Sequence, residues 1–547
     1  MLANARLDTA ASHAHLRPDE VAMPADRSAG GGRRSTPWLL VIAAVVLALT
    51  ASSACGRVDR PPADSRPPSS PQAASPSAAT HTPAAPTPGL PPVDELIDSA
   101  IAAHKLPGAV VAIGHGGKLV VHHAYGSRKL AGEQGLDSTP TPAEPMTENT
   151  IFDMASLTKC LATAIAVMQL YEQGKVGLDE PVQSYLPAFN SAHDPQRAQV
   201  TIRMLLTHTS GIAGDIDLRD PWGLTRADSG EGIRRALATP LQSEPGEVFR
   251  YSDINFILLG ALIEKVAGEP EDVYVQRHVF EPLHMDDTRF LPPAKACGPH
   301  ELRGAAIAWV SSPPTSAPCF EGGWNTDVLA RTAPTALDEE GRAQPGSNPD
   351  LDFLLRGTVH DPTARRMGGV AGHAGVFSTA LDVSTFAQAL LDRLAGRPSD
   401  FPLKRETLQL TTTPQQPGHT PGQVEAANEA VREAIAETPN PNPLLAPNYP
   451  AIEGQDLRSL GWDIDTGHSR PRGLLFPVGS FGHTGFTGTS LWIDPGTDTY
   501  VILLTNVIHI RGSRPLSNLQ GELSTVTART LGLYTAPTLA QPVPRPR

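Results

Sequence analysis

The hydrophobic pattern is of two kinds, strand-like near both ends of the folded region and helical between them. Gly108-Ala-Val-Val-Ala-Ile-Gly and Lys118-Leu-Val-Val-His-His-Ala-Tyr are β-rich runs separated by His115-Gly-Gly, which predicts a hairpin. Just upstream, Asp94 to Lys105 carries a helical period that stops before Pro107. The far end repeats this arrangement: Thr489 to Pro495 and Thr499 to Asn506 form a second hairpin around Gly496, and a helix follows from about Leu516 to Leu531. Between the ends, helices are expected near 159–174, 229–238, 253–267 and 382–394. The expected class is therefore α/β (α+β): one antiparallel sheet built from distant segments and flanked by helices, with an inserted mostly helical subdomain. Residues 293–350 and 412–452 are rich in Pro, Gly, Thr and Asn and are read as surface insertions, the second with a short helix from Val424 to Ala436.

Composition narrows this picture. The chain has 547 residues, 54 of them proline, and a net charge of −13 with its 44 Lys and Arg residues scattered, so a nucleic-acid partner is not expected. Gly-x-Ser-x-Gly, P-loop and His-Glu-x-x-His motifs are absent and no cysteine pair has zinc-site spacing, so neither metal nor cofactor is expected. Arg33 and Arg34 precede an apolar run from Trp38 to Leu49, and Ala51-Ser-Ser-Ala leads to Cys55. Residues 1–55 thus read as a signal peptide or membrane anchor, with three fates open: lipidation at Cys55, a cleaved signal, or an uncleaved helix. Met23 is an alternative start. Residues 56–92 form a Pro/Ser/Ala-rich tether, residues 93–535 one domain (α/β part about 93–150 and 455–535, helical part about 151–454), and 536–547 a disordered tail. The expected location is the periplasm or extracellular space of a bacterium, with the protein, a monomer, held to the membrane through its N-terminus. Cys297 and Cys319 are candidates for a disulfide there, while Cys160 reads as a buried, inert thiol.

Three segments carry chemistry. Ser156-Leu-Thr-Lys159 opens a helix, so the lysine amine lies on the serine's face and can draw off its proton, while the helix N-terminus favours negative charge. Tyr251-Ser-Asp253 sits just ahead of an apolar helix, where the phenol can shuttle protons. Phe481-Gly-His483-Thr484-Gly485-Phe486 runs into a strand; its glycines allow close approach of a substrate, and the Phe486 and Ser156 N–H groups form a candidate oxyanion hole. Singly, each has a bland reading: an exposed lysine near a cap, Asp253 as an N-cap, a glycine-rich hairpin.

Together and in this order they resemble the serine β-lactamase and penicillin-binding protein superfamily, in its class C-like branch. Leu205-Leu-Thr-His208-Thr-Ser-Gly, Gly368-Gly-Val-Ala-Gly-His373-Ala-Gly and Gly461-Trp-Asp-Ile look like further landmarks of it. The resemblance covers about residues 93–535 and implies Ser156 as nucleophile, Lys159 as proton-transfer lysine, Tyr251 as general base or acid, and His483-Thr484-Gly485 in place of Lys-Thr-Gly. Asp253, His483, Thr484 and Gly485 are then the substrate-binding candidates. Two positions depart from the pattern: Asp253 replaces an amide, and His483 replaces a permanent cation, both of which count against efficient β-lactamase action. His208 is read as a loop brace and His373 as either cleft lining or packing. The implied function is an exported serine hydrolase working through an acyl-enzyme on small esters or amides or on cell-wall peptides, as an esterase or a D-Ala-D-Ala carboxypeptidase. A penicillin-binding sensor of the same fold is the alternative.

Overall fold

The computed structural model describes residues 89–310, 319–320, 322–437, 439–513 and 516–534. The expectations for the leader, Cys55, the tether up to residue 88 and the tail at 536–547 lie outside these residues. Among the described residues no helix is long and apolar enough to cross a membrane.

Eleven strands matter here: β1 Gly108–His115, β2 Lys118–Lys129, β3 Glu144–Pro145, β4 Phe152–Asp153, β5 Arg289–Phe290, β6 Val376–Ser378, β7 Leu457–Arg458, β8 Asp463–Asp465, β9 Phe481–Thr484, β10 Ser490–Asp494 and β11 Thr499–Leu504. Eight of them form an antiparallel sheet in the order β7-β8-β9-β10-β11-β1-β2-β3. The N-terminal hairpin joins the C-terminal one directly, with Val110 opposite Leu504 and Ile113 opposite Val501.

The period of two in these strands divides the interior into two cores. Ala109, Val111 and Ile113, with Trp492, Val501 and Leu503, face the terminal helices α1 (Pro91–Ala102) and, in last place along the chain, α7 (Ser517–Thr530). Val110, Ala112, Leu491, Ile493, Ile502 and Leu504 face the larger core. That core also holds α2 (Ala164–Glu172), α4 (Asp253–Ala267) and α5 (Ala380–Ala395), with α3 (Ser229–Ala238) and α6 (Gln423–Glu437) at its margins. Each buried Val, Leu or Ile contributes about 1.5–3 kcal/mol, and a one-residue slip would exchange the faces, so the register is strongly specified.

Two expectations need correction. The segment expected to be one helix over 159–174 begins as a 3₁₀ turn, Ala155–Leu157, continues as a π-turn, Lys159–Thr163, and only then becomes α2. Residues 322–350 are not merely a surface insertion: Thr326, Asp338 and Asp350 are buried, Thr332 bridges to Ile151, and Asp338 pairs with buried Arg365 at 2.9 Å. Polar composition suggested exposure, but these polar groups are buried with partners. Cys297 and Cys319 form a disulfide, with Cα atoms 5.3 Å apart.

Candidate active site

A small second sheet, β4-β6-β5, leads into the turn that presents Ser156. Asp153 ends β4, and its two carboxylate oxygens accept from Ala155 N–H at 2.9 Å and His360 N–H at 2.7 Å. Burial raises the Asp153 pKa to about 6 against the pull of these N–H groups. The turn it anchors is strained: Ala155 has φ +46, a region costly for a residue with a side chain. Ser156 is delivered at its tip.

Three contacts fasten the β9–β10 segment to this turn. Thr487 Oγ1 donates to Asp153 O at 2.7 Å and Thr489 Oγ1 to Met154 O at 3.2 Å. Gly485 lies so close that a Cβ there would sit 2.5 Å from Met154 O. The glycine therefore brings Thr484 and the exposed Phe486 beside Ser156, and Phe486 stacks on His360 with ring centroids 5.8 Å apart. Beyond His360 opens a cavity of about 230 Å³, also lined by Asp338, Arg365 and Arg511.

Lys159 is fully buried and surrounded by acceptors. Its Nζ donates to Ser156 Oγ at 2.9 Å and to His373 O at 2.9 Å, and lies 2.6 Å from Asp253 Oδ1. Two of the ammonium's three hydrogens go to Ser156 and the His373 carbonyl, and the Asp253 carboxylate stands beside it as an ion-pair partner. Burial disfavours the charge, but Asp253 and Tyr251 outweigh it, and the pKa is raised. The lysine thus meets the serine as a donor, not as the free base expected from spacing alone.

Asp253 was expected to face substrate in place of an amide; it is instead the counter-ion of Lys159. Asp215 lies near it, and burial together with the Asp253 charge raises the Asp215 pKa to about 6. Asp361 and His373 complete the cluster, Asp361 Oδ1 lying 2.8 Å from His373 Nε2. Asp253, Asp361 and His373 hold potential metal-ligand atoms within 4.8 Å of one another, yet the first already pairs with Lys159 and the other two pair together. The His373 ring therefore braces Asp361, while its backbone carbonyl reaches Lys159.

Tyr251 lies beside Lys159, whose Nζ is 5.1 Å from the ring centroid; burial raises its pKa more than Lys159 lowers it, so it rests as a phenol. Histidines pack around its ring: His208, His468 and His483 have centroids 4.4, 5.1 and 6.1 Å away. His208 accepts through Nδ1 from Ser252 N–H at 3.2 Å, and burial and nearby cations push its pKa far down.

His483 also differs from expectation. It is buried, Nδ1 donates to Thr484 O at 2.8 Å, and Nε2 accepts from Arg458 Nη2 at 3.3 Å. Arg458 is itself paired with Asp463. Burial, with Arg458 and Lys159, lowers the His483 pKa to about 3 despite Asp463. It is a neutral imidazole with no ring nitrogen left for a substrate. Sequence reasoning missed Arg458, Asp215 and Asp361, which no local motif marks; Asp463 stood within the Gly461-Trp-Asp-Ile landmark without a role.

This arrangement brings together a serine, a buried lysine and a tyrosine. A family model described as Beta-lactamase matches residues 93–515. The chain belongs to the β-lactamase family. An N-acetylmuramyl-L-alanine amidase of Bacillus subtilis (strain 168) is 30% identical over 431 residues, 76% of this chain and 80% of that protein. A putative D-alanyl-D-alanine carboxypeptidase of Escherichia coli (strain K12) is 28% identical over 410 residues, 73% of this chain and 78% of its own length. Among solved structures, a penicillin-binding protein homologue from Caulobacter crescentus shares the fold, with TM-score 0.53 and 16% identity over 82% of this chain and 99% of that one. This member of the β-lactamase family thus gathers Ser156, Lys159 and Tyr251 in one place and carries a neutral His483 on β9.

Proposed function

We propose that this protein is a serine amidase that cleaves a cell-wall amide of the N-acetylmuramyl–L-alanine type through an acyl-enzyme on Ser156. The observation that carries the choice is His483, neutral, buried and with both ring nitrogens engaged. A D-Ala-D-Ala carboxypeptidase must hold a terminal carboxylate, and a strand cation serves that purpose; a neutral imidazole does not. Hydrolysis at a muramyl-lactyl amide makes no such demand on this strand, and the Bacillus relative bears the name of that reaction.

The proton path follows from the resting hydrogen bonds. Lys159 is the donor to Ser156, so the serine's own hydrogen is directed to Tyr251. As Ser156 Oγ bonds to the carbonyl carbon, its proton passes to Tyr251 Oη while the phenol gives its own proton to the departing nitrogen, and the C–N bond breaks. Tyr251 ends neutral, as it began, and the ammonium of Lys159 stabilises the partial negative charge that develops on either oxygen. Water reverses the relay: its proton crosses Tyr251 to Ser156 as the ester bond breaks. The Ser156 and Phe486 N–H groups take the oxyanion.

The Cys297–Cys319 disulfide supports an oxidising compartment, in keeping with export by the Arg33-Arg34 leader. The test is competition among three substrates. Release of L-alanine from N-acetylmuramyl-L-alanine, abolished in Ser156→Ala, is expected to exceed release of D-alanine from an acyl-D-Ala-D-Ala peptide; nitrophenyl esters report the nucleophile itself. Faster D-alanine release would overturn the amidase assignment. Penicillin labelling without any turnover would make the protein a sensor.

A further inference from the structure

Behind the nucleophile lies a buried carboxyl that the proposed reaction does not touch. Glu271 opens the short helix Glu271–Val275 and is 2% exposed. Its Oε1 is 2.8 Å from Thr163 Oγ1, and that same hydroxyl is 2.7 Å from Gly372 O. A hydroxyl has one hydrogen. The Gly372 carbonyl only accepts, so Thr163 donates to it, and the hydrogen in the contact with Glu271 has to come from the carboxyl. The chain then runs Glu271 O–H to Thr163 O–H to Gly372 O, and every bond is made.

The three groups tie together three parts of the site. Thr163 ends the π-turn that begins at Lys159, and such turns recur at functional sites. Gly372 precedes His373, whose carbonyl accepts from Lys159 at 2.9 Å. Gly260 of α4, the helix that starts at Asp253, lets the others meet: a Cβ there would stand 2.4 Å from Glu271 Oε2 and 3.0 Å from Gly372 N.

We infer that Glu271 works as an un-ionised carboxylic acid and that its proton positions the His373 carbonyl against Lys159. The inference rests on the assignment of Ser156 and Lys159 above but not on the substrate. Burial supports it, raising the Glu271 pKa to about 8, with Thr163 opposing and Glu264 and Asp272 adding to the rise. Two carboxylates act on it from this side: Glu264, whose Oε1 accepts from Glu271 N–H at 3.3 Å, and Asp272, which is itself paired with Lys295. Above that pH Glu271 has no hydrogen to give. Thr163 must then turn its own toward the carboxylate, Gly372 O loses its donor, and the loop carrying His373 loosens under Lys159.

The test uses two readouts in the full-length protein. Infrared difference spectra of the wild type, with Glu271→Gln as the reference, are expected to contain a protonated-carboxyl band at pH 7 that disappears as the pH rises through about 8. The rate of fluorophosphonate labelling at Ser156 reads positioning without any cell-wall substrate. It is expected to carry a roughly tenfold alkaline loss between pH 7 and 9 in the wild type, the share expected of one group with that pKa. Glu271→Gln, whose amide N–H replaces the acid hydrogen, is expected to label within about threefold of wild type at pH 7 without that loss; this size of change is under 1 kcal/mol. Glu271→Leu is expected to label more than tenfold slower throughout. An absent carboxyl band, or the same alkaline loss in Glu271→Gln, overturns the inference, whereas failure of muramyl-L-alanine hydrolysis overturns only the amidase reading.

Discussion

Asp253 holds the ammonium of Lys159 at 2.6 Å, so the lysine enters the reaction already protonated. Because its folded pKa is raised, the stabilisation from the pair is fully present below the unfolded lysine value of about 10.4 and is lost only as the pH rises through the folded value. The pair is therefore intact over the whole neutral range. Asp253→Asn should leave a buried ammonium without its counter-ion, lower stability by about 3 kcal/mol in urea unfolding and pull the lysine pKa down. Ester hydrolysis should then acquire an alkaline limb, as the Lys159 ammonium is lost within the measured range. An unchanged pH profile in that variant would show that Asp253 does not set the lysine's charge.

His483 gives the opposite sign. Its folded pKa, about 3, lies below the unfolded value of about 6.5, so folding excludes the imidazole proton. Its contribution is present above about pH 6.5 and is lost as the pH falls from there toward 3, by up to about 1.4 kcal/mol per pH unit. His483→Gln should flatten the acid side of the stability curve relative to wild type, and chemical denaturation between pH 4 and 7 measures the difference.

Gly485 is predicted to tolerate no side chain. A Cβ would approach Thr489 Oγ1 to 2.2 Å and Met154 O to 2.5 Å, forcing the β9–β10 segment away from the nucleophile turn. Gly485→Ala should reduce kcat about 100-fold, the effect of a displacement near 1 Å, while circular dichroism remains that of the wild type. Wild-type kcat would place the segment further from the reaction than the geometry here.

The disulfide closes a span of 22 residues between Cys297 and Cys319. Cys297→Ser should cost about 3 kcal/mol by freeing that loop in the unfolded chain, and a reductant should lower the wild-type Tm to nearly the variant's value. Cys160 is buried, its thiol pKa pushed up by desolvation, so it should stay unmodified by iodoacetamide in the folded protein.

The strand pattern of Val110–Ile113 and Ile502–Leu504, and the helices over 229–238 and 253–267, were legible locally, because side-chain periods of 2 and 3.6 are properties of consecutive residues. The second sheet was not legible. Its strands β4, β5 and β6 are two or three residues long, too short to repeat either period, and their pairing joins residues more than 80 positions apart. Buried Asp338 and Asp350 were misread for a related reason: a carboxylate counts as exposed until the arginine that neutralises it is known to be near.

The amino-acid sequence by itself determined the candidate chemistry: a serine three residues before a lysine, a tyrosine ahead of an apolar helix, and a glycine-rich strand entry, in that order. What those groups do was decided only by the tertiary structure. Charge and hydrogen bonding depend on distance in space, and Asp253, Arg458, His373 and Glu271 reach the site from far along the chain. They turn Lys159 into a donor, His483 into a neutral ring and Glu271 into the partner of Thr163, which local spacing does not encode.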